Sequence, residues 1–337
     1  MSSLPFSIVD VFSTTPYKGN PLAIVDNTTD ALSDTQMKLI ARQFNLSETT
    51  FFLKPRDPTT AQFALRSFLP DGKEVFGAGH NILGVWWYLA AEGKLNLEKP
   101  DRRRDDGAEE FVFRQELGGR VSAVTILRRK NSAGQDELSV SVRQAPPKAH
   151  AEHPNSATLA QSAGLSEGDI GFEAAKGGAL KPQVMSTSTT RHLMVPVRSV
   201  QALNRVAVQR DGLLGQLALV DEKAYGVYFF TPVGAREENR YQARFFSPGM
   251  AGEDPATGSA AGPLSRYLHQ RGDLEVVGGQ GRITVQQGLM TGRECAIEVI
   301  LSVSGEGDVE EVEVDVVGGG ARVMTGDIRV PDCSLAF

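Results

Sequence analysis

"RSFLPDGKEVFGAGHNILGVWWYL" at residues 66–89 and "RFFSPGMAGEDPATGSAAGPLSRYL" at residues 244–268 read as the same phrase used twice. Each opens on Arg-x-Phe-x-Pro, crosses a glycine-rich turn and enters a helix-like stretch ending in Tyr-Leu. A strand–turn–helix unit at matching places in a 337-residue chain predicts two similar halves, each a sheet with one main helix. The helix starts at 79–81 and 258–260 are then expected to face each other across a cleft, where small-molecule sites are preferred.

Around these units the pattern is short strands and few helices. "FSIVDVFS" (6–13) and "PLAIVD" (21–26) read as strands joined through Gly19-Asn20-Pro21. Ser33 and Gln36 have capping-box spacing, and Met37, Ile40, Ala41 and Phe44 share a helical face. A helix from Asn81 to Glu92 is expected to stop at Gly93. Residues 94–110 read as an exposed charged loop, and Pro146-Pro147 with the polar run to 155 as a boundary. In the second half a helix near 156–163, "GVYFFTP" and four closing strands are predicted. The expected domains are 1–137, with 328–337 as the segment to complete it, and 138–327.

A net charge of −6 offers no basic surface for nucleic acid, and Arg102-Arg103-Arg104 runs straight into Asp105-Asp106 as a solvated loop would. Two cysteines, Cys295 and Cys333, are too few for a disulfide framework. No apolar run approaches the roughly 18 residues that span a bilayer, and no signal pattern opens the chain. A soluble cytoplasmic protein is the expectation.

The candidate chemistry lies at the two turns. Gly79-His80-Asn81 and Gly258-Ser259 sit where a strand enters a helix, so free N–H groups and the helix dipole could bind a small carboxylate. The plainer reading is an ordinary helix start. His80 reads as a capping or core histidine, or as a donor and proton shuttle. Asp254, before Pro255, reads as a turn residue or a second polar group of a site. Glu48 in "FNLSETTFFL" is either an exposed strand-start carboxylate or a buried one, whose pKa would rise toward acid/base work. The five histidines lack a metal-ligand pattern, and no dinucleotide-type phosphate loop is evident, so no metal or cofactor is expected.

"VDVFSTTPYKGNPLAIV", "ARQFNLSETTFF", "EVFGAGHNILG" and "GEDPATGSAAGPLSRYL" resemble the signatures of the PhzF family, named for phenazine biosynthesis. "MSTSTTRHLMVPV" (185–197), "YGVYFFTP" and "GGGARVMTGDIRV" fit it in the same order. The resemblance implies a diaminopimelate epimerase-like α+β fold, in which two pseudo-symmetric domains each wrap a mostly antiparallel sheet around a central helix. It implies a homodimer and a cofactor-free isomerase that shifts a proton on a small carboxylate-bearing metabolite, such as trans-2,3-dihydro-3-hydroxyanthranilate. A lyase, or a binding protein on the same fold, is the alternative. By this resemblance Glu48 moves the proton, His80, Asp254 and Ser259 line the site and position substrate and proton, and Asn20 and Ser47 lie nearby; the helix-start residues Gly79, His80, Asn81 and Gly258 join them as candidate substrate-binding residues. Diaminopimelate epimerase carries a thiol at each helix start; neither cysteine lies there, which excludes a two-thiol racemase. The family usually has a small residue or proline and then threonine after Gly-His, where this chain has Asn81-Ile82.

Overall fold

The computed structural model describes residues 2–337 except 77–78, 105, 188–189, 250–251, 306–309, 333 and 336. Gly77 and Ala78 of the first glycine cluster, Asp105 and Cys333 therefore lie outside the described residues. The chain forms two compact units, Met1–Val142 with Val317–Phe337, and Arg143–Val316.

In the first unit β1 (Ser3–Val11) pairs antiparallel with β2 (Asn20–Asp26) and with the chain's last strand, β19 (Gly320–Arg329). Helix α1 (Asp34–Phe44) carries the chain to β3 (Thr49–Leu53), parallel to β2. Strand β4 (Phe63–Phe68) runs antiparallel to β3 and takes the short return strand β5 (Glu74–Val75) on its end. After α2 (Gly79–Ala91) come β6 (Arg102–Arg103), β7 (Glu109–Leu117), β8 (Arg120–Lys130) and β9 (Asp136–Gln144). Strand β7 is parallel to β4, and β8 is antiparallel to β7.

Two helices serve opposite faces of this sheet. Helix α1 begins at the expected capping box of Ser33 and Gln36 and buries Met37, Ile40 and Ala41 on Val25, Phe51 and Phe68. Helix α2 starts two residues before its expected position and is buried all round, touching β1, β2, β3, β8 and β19. Its apolar character on every face is what a helix inside a wrapped sheet requires. Trp86 is fully buried, and its indole N–H donates to Gln115 Oε1 at 2.8 Å. Gly84 is the contact point with the sheet: a Cβ there would sit 2.6 Å from Leu22 and 2.7 Å from Val11.

The second unit repeats the pairing grammar. Strand β10 (Lys148–Glu152), helix α3 (Ser156–Ser162) and β11 (Gln183–Ser186) lead to β12 (Arg191–Pro196), with β11 antiparallel to both β10 and β12. Helices α4 (Val200–Arg205) and α5 (Arg210–Val220) then connect to β13 (Gly226–Pro232), parallel to β12. Strand β14 (Arg240–Phe246) is antiparallel to β13 and holds the return strand β15 (Glu253–Asp254). Helix α6 (Gly258–Gln270) follows, then β16 (Gln280–Gln287), parallel to β14, β17 (Cys295–Ser304), antiparallel to β16, and β18 (Glu311–Gly318). Element for element, β1–β2–β3–β4–β5–α2–β7–β8 matches β11–β12–β13–β14–β15–α6–β16–β17 in order and direction.

Two local expectations need correction, and two helices were not expected. The arginine run is not a plain loop, because Arg102 and Arg103 pair with Glu110 and Glu109 as an edge of β7. Arg103 and Arg104 also form ion pairs with Glu109 and Glu110. The polar run after Pro147 includes a strand, since β10 finds its backbone partners on β11. Helices α4 and α5 had no sequence expectation; α4 starts at a Ser199 cap, and both pack Leu203, Leu213 and Leu217 on Val195, Val227 and Phe229.

Candidate active site

The repeated Arg-x-Phe has one structural job in both units. In the first, Arg66 on β4 grips Glu74 on β5 through two bonds of 2.8 and 2.7 Å, and its guanidinium lies 5.1 Å above the Phe68 ring. In the second, Arg244 on β14 grips Glu253 on β15 at 3.0 and 2.8 Å and lies 5.0 Å above the Phe246 ring. Each clamp fixes the return strand that delivers the chain to the central helix.

At the start of α2 the first unit gathers Asn20, Ser47, Glu48 and His80. Glu48 lies between α1 and β3, with 16% of its side chain exposed, and its Oε2 is 3.3 Å from His80 Nδ1. Desolvation lifts the Glu48 pKa to about 7, while a hydrogen bond from Ser47 opposes part of that rise. The Ser47 hydroxyl is also 3.5 Å from Oδ1 of the buried Asn20. Asn20 reaches this place because Gly19, at φ +85°, turns the chain into β2, and a Cβ at Gly19 would strike the Val11 carbonyl. Among the described residues nothing lies within 4 Å of a Cβ built on Gly79. Asn81 is 2% exposed, and neither polar atom of its amide has a hydrogen-bond partner among the described residues.

The second unit places Asp254, Gly258 and Ser259 at the start of α6. The Asp254 carboxylate accepts the Thr257 hydroxyl at 2.6 Å and the Ala256 N–H at 3.4 Å, the role of a turn-closing residue. Gln287 braces the turn: its amide donates to the Asp254 carbonyl at 2.7 Å and accepts from Tyr228 and the Thr257 N–H. Thr257 therefore makes no side-chain cap on α6. Neither α2 nor α6 has an acidic residue in its first turn, whereas α1 has Asp34 and a full capping box. Helix starts without an acid in the first turn are of the kind that can accept an anion.

Sequence reasoning passed over His192. It is 1% exposed on β12, with Nε2 3.1 Å from Ser259 Oγ. The only available signal was a polar residue inside the apolar "RHLMVPV", which strand alternation alone does not mark as a site.

The units share topology but not chemistry. Strand register sets Phe51 opposite Arg66 and Phe229 opposite Arg244, so Gly226 occupies the place that Glu48 holds in the first unit. No side chain fits there, since a Cβ on Gly226 would sit 2.5 Å from the Phe245 ring and 2.7 Å from the Phe246 carbonyl.

Among relatives, the chain is 31% identical over 325 residues to trans-2,3-dihydro-3-hydroxyanthranilate isomerase of Pseudomonas chlororaphis, covering 96% of this chain and 98% of that protein. The crystal structure of a PhzF-family phenazine biosynthesis protein from Bacillus anthracis superposes with a TM-score of 0.78 at 22% identity, covering 98% of this chain and 100% of that one. A hydroxyproline epimerase from Agrobacterium vitis, solved with trans-4-hydroxy-L-proline, gives 0.59 at 12% identity over 98% and 94% of the two chains, a likeness of α+β fold alone. The family model described as phenazine biosynthesis-like protein matches residues 9–326. The chain belongs to that PhzC–PhzF family, and it is an isomerase.

Proposed function

We propose that this isomerase shifts a proton, without a cofactor, along a small carboxylate-bearing metabolite of the anthranilate or amino-acid kind. The carrying observation is Glu48: a desolvated carboxyl with its pKa raised to about 7, 3.3 Å from an imidazole nitrogen. As a carboxylate, Glu48 takes a proton from one carbon while the C–H electrons enter the conjugated system. As an acid it returns that proton to a second carbon, and no electron acceptor is needed. His80 holds the carboxyl in place, the start of α2 offers N–H groups to a carboxylate, and in the second unit Ser259 at the start of α6 is a holder of an anionic group. Among the described residues no group of three or more His, Cys, Asp or Glu side chains is arranged to hold a metal ion.

The relative from Pseudomonas chlororaphis supplies the first substrate to test. Incubation with trans-2,3-dihydro-3-hydroxyanthranilate, after removal of metals by chelation, is expected to give isomerised product, followed by proton NMR. Absence of turnover by chelated protein, with recovery on adding a metal, would overturn the cofactor-free reading. Absence of turnover in both cases would overturn the anthranilate assignment.

A further inference from the structure

We propose that His192 is a positioning residue, which fixes Ser259 as a hydrogen-bond donor toward an anionic group and does not activate it as a nucleophile. The inference rests on the reading of Ser259 as a substrate-holding residue given above.

The geometry comes from inside the second unit. His192 is enclosed on β12, with the Phe245 ring edge-on at 5.1 Å and the Tyr225 ring at 6.2 Å. Burial drives its pKa down to about 3, so the ring is neutral near physiological pH and carries a single N–H. Nε2 meets Ser259 Oγ at 3.1 Å, while Nδ1 is buried with no partner among the described residues.

Those two facts select a tautomer. With the proton on Nδ1, the ring would bury an unmet N–H, and Nε2 would take the serine proton as a base does. With the proton on Nε2, the N–H is satisfied by Ser259 Oγ, and only a lone pair is left unmet at Nδ1. Orphaned buried N–H groups are the rarer and costlier case, so the second tautomer is preferred. The serine oxygen is then occupied as an acceptor, and its own proton is free to point at another group. Ser259 is only partly buried, in the first turn of α6, where no acid and no side-chain cap compete for the helix N–H groups. The Asp254 carboxylate beside this turn is engaged by the Thr257 hydroxyl and the Ala256 N–H, so the serine proton and the helix N–H groups are the donors offered to a carboxylate or a developing enolate.

The test has two arms. Long-range nitrogen–proton correlation spectra of histidine-labelled wild-type protein should show His192 as the Nε2-protonated neutral tautomer from about pH 5 to 8. His192→Gln identifies the signal. An Nδ1-protonated ring would overturn the proposal. Calorimetric titration with 3-hydroxyanthranilate and its carboxyl-free counterpart 2-aminophenol forms the second arm. Ser259→Ala and His192→Phe should each weaken 3-hydroxyanthranilate about tenfold, with the double variant no worse than the weaker single one. His192→Gln, which keeps a donor, should recover most of the loss, and 2-aminophenol should bind all variants alike. Additive losses would overturn the proposal. Failure of wild type to bind 3-hydroxyanthranilate would count against the proposed function alone, and the tautomer would still decide the role of His192.

Discussion

Glu48→Gln is expected to lower turnover by a factor of about 10²–10⁴ while leaving ligand affinity within a few-fold. Glutamine keeps the size of the side chain and its ability to accept from Ser47, but it cannot take up and return a proton. Affinity survives because, in the proposed site, the substrate carboxylate is anchored by backbone N–H groups and not by Glu48. In wild type, kcat/KM should rise as pH passes through about 7, because the free enzyme needs the Glu48 carboxylate. Stability should show the opposite trend at this residue. A folded-state pKa of about 7 against an ordinary 4.5 means that the native state holds the proton more tightly across that window. Folding is therefore penalised progressively as pH climbs from 4.5 to 7, and the penalty is constant above. Glutamine escapes it, so the inactive variant should be more stable than wild type at pH 8 by up to roughly 3 kcal/mol, with the difference gone near pH 4. Urea titrations at the two pH values read this directly. Near-wild-type turnover would end the role assigned to Glu48, and equal stability at pH 8 would show that the carboxyl is not desolvated.

Arg244→Met should be the more damaging change to the fold. The Arg244 and Glu253 side chains are only 11% and 7% exposed. Beyond Glu253, the guanidinium donates to the carbonyls of Leu203 at 3.0 Å and Val206 at 2.8 Å, which ties α4 to β14. Removing it strands a buried carboxylate, and losses of that kind run at about 3–5 kcal/mol. Arg244→Met combined with Glu253→Gln should recover a large part, since the stranded charge and not the lost attraction dominates the cost. The equivalent Arg66→Met should cost less, because the Arg66 and Glu74 side chains are 28% and 24% exposed, and water takes over part of the solvation. Chemical denaturation of the four proteins tests the ranking. An Arg244→Met loss under about 1 kcal/mol would mean that Glu253 finds another way to be solvated or neutralised.

Much of this was legible in the chain because it depends on local rules. The Ser33–Gln36 box marks the start of α1, Gly93 closes α2, and the repeated Arg-x-Phe units locate both central helices. Glu48 could be singled out because a carboxylate beside Phe51 and Phe52 conflicts with its apolar neighbours. Other features depend on partners distant in sequence. His192 and Ser259 meet across 67 residues, and Gln287 reaches back 33 residues to Asp254. No spacing rule links such positions; only the strand register brings them together. Residues 102–103 read as a loop because an edge strand of two arginines lacks any apolar alternation, and its pairing comes from the backbone and from Glu109 and Glu110.

Gly226 bears on how the two halves differ. The ring that fills the space above it belongs to Phe245, and the same ring lies edge-on to His192. Giving the second half a carboxylate at that place would require moving the ring, and moving the ring would loosen the histidine that supports Ser259. The bare glycine at 226 and the supported hydroxyl of Ser259 thus rest on the same ring. A single substitution that put a side chain at 226 would disturb the ring and the histidine together, so this half cannot take on the first half's arrangement one residue at a time.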